Sequence, residues 1–198
     1  MPEDSRSVHA GVGFRVKSGW ATAVLVTGSI RSPQALARCR IDLCDPSVPG
    51  SSQPFHARMG TLQTDEAKVK RLRQVIIRAT SQSVTELIAG YRRAGHRLHA
   101  GCLVVGSVID PDKITNPHIR AHALEGRLFR TVLEDALGSF GLTCSVIIER
   151  SAYAQAANIL KRPEDDIKSC VAQLGRSLEG PWRADEKTAC LAGWLALA

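Results

Sequence analysis

The chain has 198 residues, of which 44% are hydrophobic and 23% are charged, and its formal net charge is +7. This balance is typical of a folded globular domain and argues against a disordered or fibrous chain. No stretch approaches the roughly 20 consecutive apolar residues of a membrane-spanning helix. The polar N-terminus, MPEDSRSVHAG, does not resemble a secretory signal. We therefore predict a single domain over residues 1–198 with no membrane partner.

Six cysteines are scattered through the chain without a CxxC pair. Cys102, Cys144 and Cys190 lie within apolar runs, where a free cysteine behaves as a small hydrophobic residue. The pattern predicts buried thiols in a reducing cytoplasm rather than disulfides. Cys39 and Cys44 are the best candidates for an exception, but no further ligands stand near them at zinc spacing.

The basic charge, with a sequence pI of about 9.4, suits a polyanionic partner such as DNA or RNA. Aromatic residues make up only 5% of the chain, so the composition does not indicate a base-stacking surface. A solvated basic surface that binds nothing explains the charge equally well.

The N-terminal part predicts three strands and a loop. Residues 8–28 form two β-rich runs joined by a turn at 17–19, and residues 35–43 form a third. Their short connections predict an antiparallel meander. Residues 45–60 hold three prolines and two glycines and predict a loop. A loop of this length is often functional or disordered.

Helices alternate with strands in the remaining sequence. The predicted order is a helix at 64–95, a strand at 98–109, a helix at 116–138, a strand at 144–148, and helices at 151–160, 164–174 and 185–197. This order predicts an α/β domain in which helical crossovers join the meander to parallel strands.

The first predicted helix carries basic side chains opposite its apolar positions. They are Lys68, Lys70, Arg71, Arg73 and Arg78. A solvated face accounts for them, but they also form the best candidate for a nucleic-acid-binding patch.

Three segments of the chain match sequence patterns of one protein family. Residues 13–21, GFRVKSGWA, match a first-strand signature in which Gly-hydrophobic-Asp precedes a turn and Thr-Gly-Trp-Ala. Residues 116–126, NPHIRAHALEG, stand where an Asn-Pro sequence opens a helix, and residues 183–198 match an alanine-rich last helix. From about residue 10 onwards the chain thus resembles the RuvC-type Holliday-junction resolvases. The resemblance implies a ribonuclease-H-like fold, with a mixed five-stranded sheet flanked by helices.

Members of this family hydrolyse phosphodiesters with two divalent metal ions, which three or four carboxylates hold. The resemblance places the carboxylate positions on Arg15, Gly106, Asp185 and Thr188, so only Asp185 keeps an acid. A guanidinium at position 15 brings positive charge to the metal's place, and we expect an Arg15–Asp185 ion pair. The implied site is degenerate, with no cofactor and with Asp185 as the one remaining metal ligand.

Four carboxylates are candidates for relocated metal ligands: Asp110, Asp112, Glu125 and Glu149. Asp110 and Asp112 flank Pro111 after the fourth predicted strand, although Asp-Pro-Asp is also an ordinary turn. Glu149 follows a buried strand, at the end of which ligand crevices often form. It is also simply the first polar residue after an apolar run.

Glu125 lies three residues after His122, so both side chains can share one face of the second helix. Together with Asp185 they are candidates for a single-metal site, although a solvated helix face is the simpler explanation. His56 and Arg58 in the proline-rich loop are candidates for ligand contacts from a lid.

The leading hypothesis is a catalytically degenerate RuvC-like domain in the bacterial cytoplasm that binds nucleic acid or a protein partner without cutting. The first alternative is a metal-dependent endonuclease with relocated carboxylates, which would need Mg²⁺ or Mn²⁺. The second alternative is an interaction or assembly module, a homodimer with no nucleic-acid role.

Overall fold

The computed structural model describes residues 8–57 and 60–198. In these residues the strands are β1 (Val8–Lys17), β2 (Trp20–Ser29), β3 (Ser32–Asp42), β4 (His96–Val105) and β5 (Thr143–Ile148). The α-helices are α1 (Glu66–Arg93), α2 (Pro117–Gly138), α3 (Ala152–Leu160), α4 (Glu164–Leu174) and α5 (Ala184–Leu195). Every predicted strand and helix is present and in the predicted order.

The strands form one mixed sheet in the order β3-β2-β1-β4-β5. The pairs β1/β2 and β2/β3 are antiparallel, whereas β1/β4 and β4/β5 are parallel. This confirms the predicted meander joined to parallel strands. Because β1, β4 and β5 are parallel, their carboxyl ends meet at the same edge of the sheet, where open α/β sheets bind ligands.

Helices cover both faces of the sheet and bury a core on each. On one face α1 and α2 pack over a core that includes Phe14, Ile76, Leu103, Phe129 and Leu133. On the other face α3, α4 and α5 enclose a core that includes Val24, Cys102, Ile167, Leu191 and Trp194. Val12, Phe14 and Val16 of β1 belong to the first core. Because successive side chains of a strand point to opposite faces, the odd-numbered residues of β1 face α5.

Helix α5 crosses β1 at unusually short range because glycines line the contact. A Cβ atom at Gly13 would lie 2.0 Å from the backbone oxygen of Ala189 and 2.0 Å from the backbone nitrogen of Gly193. No side chain fits there, so the helix rests directly on the strand backbone. This crossing places the N-terminus of α5, and Asp185 with it, beside the carboxyl end of β1.

Strand β4 is shorter than the sequence predicted. It ends at Val105, not at residue 109, and residues 106–110 are exposed. Val108 and Ile109 extend the apolar run but lie in solvent, 47% and 60% exposed, so apolarity alone misplaced the boundary. Asp110 then caps a short 3-10 helix, Pro111–Lys113.

The six cysteines carry free thiols. Cys44, Cys102 and Cys190 are buried, and Cys39, Cys144 and Cys170 are half-buried. Within the residues that the structure describes, no helix combines the length and apolarity that crossing a membrane requires.

Replacing Gly13 with alanine tests the close β1–α5 crossing. We expect Gly13→Ala to lower the free energy of unfolding by about 3 kcal/mol or more, because overpacking costs about 1–3 kcal/mol even where side chains can move aside. Gly90→Ala is the matched control, since a Cβ at this helical position meets no atom within 4 Å. It should raise stability by about 0.5–1 kcal/mol. Equal changes in urea-denaturation midpoints would contradict the crossing.

Candidate functional site

A cleft of about 460 Å³ opens at the carboxyl edge of the sheet. Arg15, Lys17 and Gly106 line it from the ends of β1 and β4, and His122 and Phe129 line it from α2. The resemblance placed the metal-binding carboxylates at this edge. The cleft is therefore the candidate functional site.

Arg15 is the central side chain of this edge and is only 4% exposed. Its Nε donates to Glu149 Oε1 at 3.0 Å, and its Nη2 forms a second, short ion pair with Glu149 Oε2. Its Nη1 donates to the carbonyl oxygens of Val16 at 2.9 Å and Val104 at 3.4 Å. The bidentate geometry is the strongest form of Arg–carboxylate pairing and fixes the guanidinium plane.

Asp185 reaches the same edge from the first turn of α5. Its Oδ1 lies 3.8 Å from Arg15 Nε and 3.2 Å from Lys17 Nζ. The predicted Arg15–Asp185 contact is thus present, but its distance is close to the upper limit for an ion pair. Each residue has a nearer partner, Glu149 for Arg15 and Lys17 for Asp185. Arg15, Glu149, Lys17 and Asp185 form a charge-balanced cluster of two cations and two anions.

This cluster does not fit the two Mg²⁺ ions that the family resemblance implies. Mg²⁺ requires near-octahedral oxygen coordination, whereas the position 15 side chain offers only donors and cannot lose its proton. Gly106 has no side chain, and Thr188 offers a hydroxyl in place of a carboxylate. The carboxylates of Glu149 and Asp185 are both engaged by cations.

The carboxylates proposed as relocated ligands have separate partners. Asp110 accepts from the backbone N–H of Asp112 at 3.2 Å and lies 3.9 Å from Arg127. Asp112 pairs with Arg120 at 2.8 Å. In residues 8–57 and 60–198, the only three metal-ligating side chains whose ligand atoms all lie within 4.8 Å of one another are histidines. Glu149 and Asp185 both contact Arg15, but no third carboxylate joins them within that distance in the described residues.

Glu125 does not lie on a solvated helix face, which was the simpler explanation of its spacing from His122. Glu125 is fully buried, and its Oε1 lies 2.7 Å from Nδ1 of His56 in the proline-rich loop. Burial raises the pKa of the Glu125 carboxyl, while the hydrogen bond from His56 acts in the opposite direction. The helical spacing could have predicted this burial. Glu125 shares one face of α2 with Ala121, Leu128 and Phe129, and all four residues are buried.

Two more histidines stand beside this pair. His118 Nδ1 lies 2.8 Å from the carbonyl oxygen of Gly60, and its Nε2 lies 3.2 Å from His122 Nε2. Burial lowers the pKa of His122, and the neighbouring His56 and His118 lower it further. The histidine grouping was not predicted from the sequence. Arg58, the other candidate of this loop, lies outside the described residues.

The basic residues of α1 lie on its solvent side. Lys70, Arg71, Arg73 and Arg78 are exposed, and Lys68 is half-buried. The ion pairs found in the described part of the chain include none of these five side chains. Their charges are therefore available to an anionic partner.

The Arg15–Glu149 pair predicts unequal effects for its two partners. Glu149→Ala strands a buried guanidinium and should lower the free energy of unfolding by about 2 kcal/mol. Arg15→Met leaves a carboxylate that is already 45% exposed, and it should cost below about 1 kcal/mol because water hydrates Glu149. Glu179→Ala, an exposed acid, is the control and should stay within about 0.5 kcal/mol. The reverse order in urea unfolding at pH 7 would contradict this assignment.

Two solved structures resemble the chain over most of its length. RuvC of T. thermophilus, in complex with a Holliday junction substrate, matches with a TM-score of 0.57 and 10% identity, covering 94% of this chain and 91% of that chain. A further structure of Thermus thermophilus RuvC matches with a TM-score of 0.55 and 8% identity, covering 94% and 92%. No protein-family model and no curated protein matches the chain.

These similarities confirm the fold that the three sequence segments implied. The sheet order, its mixture of parallel and antiparallel pairs and the helices on both faces agree with this assignment. The chain has the ribonuclease-H-like fold in the form that RuvC shows.

Proposed function

We propose that this chain binds nucleic acid without hydrolysing it. The observation that carries the proposal is the bidentate Arg15–Glu149 pair at the carboxyl edge of the sheet. A permanent cation stands there in place of the carboxylate that a two-metal nuclease needs.

The charges of this edge support the proposed absence of hydrolysis. Two-metal hydrolysis needs one ion to activate the attacking water and one to stabilise the leaving oxygen. A second divalent ion would have to approach a buried guanidinium and the Lys17 ammonium, and both repel it. We therefore propose that a phosphate backbone bound by this chain stays intact.

Nucleic acid is the favoured partner for two reasons. The similar T. thermophilus RuvC structure contains a Holliday junction substrate, so the same fold can present a DNA-binding surface. The second reason is the charge of this chain, which is +7. In the described part of the protein, the lysines and arginines on the α1 surface have no acidic partner. Such unpaired cations bind phosphates with release of counterions.

The α1 surface gives the first test of this proposal. Fluorescence anisotropy with a labelled four-way junction should show affinity that falls steeply between about 50 and 200 mM salt. Lys70→Glu combined with Arg73→Glu should weaken binding at least about 10-fold, because two phosphate contacts become repulsive.

The matched control replaces two exposed arginines outside α1, Arg31 and Arg176, with glutamate. It changes the net charge by the same amount as the α1 variant. It should keep the affinity of the unmodified chain within about 3-fold if the α1 surface carries the binding. The junction should also remain uncut in Mg²⁺ or Mn²⁺. Cleavage that disappears in Asp185→Asn, or affinity independent of salt, would overturn the proposal.

A further inference from the structure

The proline-rich loop folds against α2 and brings distant histidines together. His56 and Leu62 form an isolated antiparallel bridge, and Gln63 N donates to the Phe55 oxygen at 2.8 Å. Helix α2 supplies His118 and His122, four residues apart and therefore on one face. The ring centroids lie 4.5 to 5.2 Å from one another.

His56 has the features of a metal ligand held by a carboxylate. Its Nδ1 lies 2.7 Å from the fully buried Glu125 carboxylate, and its side chain is 9% exposed. The carboxylate fixes the proton on Nδ1, so Nε2 presents a lone pair. This buried Nε2 has no hydrogen-bond partner among the residues that the structure describes. A buried lone pair left unsatisfied in this way is available to a metal ion.

His118 is oriented in the same manner. Its Nδ1 lies 2.8 Å from the Gly60 carbonyl oxygen, which can only accept, so Nδ1 carries the proton and Nε2 is free. That Nε2 lies 3.2 Å from His122 Nε2. Two nitrogens bound to one tetrahedral Zn²⁺ at about 2.0–2.1 Å are about 3.3 Å apart. The spacing fits a shared ion.

We propose that His56, His118 and His122 bind one transition-metal ion of the Zn²⁺ type. Their ligand atoms all lie within 4.8 Å of one another. Imidazole ligands favour zinc and its neighbours over Mg²⁺, and Glu125 and the Gly60 carbonyl supply the outer contacts that orient two of the rings. Three protein ligands leave a fourth position for water or an anion.

This site is separate from the charge cluster of Arg15 and Asp185. His122 also lines the cleft, so a bound ion would stand at its α2 wall. The ion would tie the proline-rich loop to α2 and stabilise both. A metal site built from these histidines does not depend on nucleic-acid binding.

Zn²⁺ alone is the probe for the test. The full chain, freed of metal by a chelator, should bind one Zn²⁺ in competition with a chromophoric chelator, and its melting temperature should rise. His118→Ala combined with His122→Ala should weaken binding by more than about 100-fold, and Glu125→Gln by about 10- to 100-fold. Both histidines are exposed, so the double variant should retain its circular dichroism spectrum.

The matched control removes His9 and His99, a ring pair 6.0 Å apart in β1 and β4, and should bind Zn²⁺ like the unmodified chain. Co²⁺ in the site should give the intense visible bands of tetrahedral coordination without thiolate charge transfer. Absence of Zn²⁺ binding, a thiolate band, or unchanged affinity in the His118/His122 variant would overturn the proposal.

Discussion

A guanidinium that cannot lose its proton lies buried at the carboxyl end of the central strand, and the surrounding structure has to compensate its charge. Glu149 does so from the end of β5, and two backbone carbonyls take further donors. Lys17 and Asp185 complete the balance. The family resemblance implied metal-binding carboxylates at this edge, and the compensated cation does not offer the oxygen ligands that a pair of Mg²⁺ ions requires.

The position of this cluster depends on the backbone packing of α5 against β1. Gly13 and Gly193 let α5 rest on β1, which sets the distance from the N-terminus of α5 to the end of the strand. The parallel pairing of β4 and β5 with β1 brings Glu149 to the same edge. On the α2 wall of the cleft, a second group of polar side chains is organised independently around the buried Glu125.

The sequence predicted the strands, the helices and their order, because apolar periodicity and capping residues are local signals. It predicted the end of β4 badly, since Val108 and Ile109 continue an apolar run outside the sheet. Arg15 was identified from its motif, but its partner Glu149 lies 134 residues away, and no local pattern pairs them. His56 and Glu125 were each noted, yet their contact and the histidine grouping arise only when the loop packs on α2.

The most direct test of the central claim is a calorimetric titration of Mg²⁺ into the unmodified chain and into Asp185→Asn. Mg²⁺ selects oxygen ligands, so the histidine group does not interfere with the measurement. If the Arg15–Glu149 pair has replaced metal binding at this edge, neither protein should show a heat of binding that depends on Asp185. Millimolar or tighter binding to the unmodified chain that disappears in Asp185→Asn would contradict the claim and restore a metal-dependent nuclease.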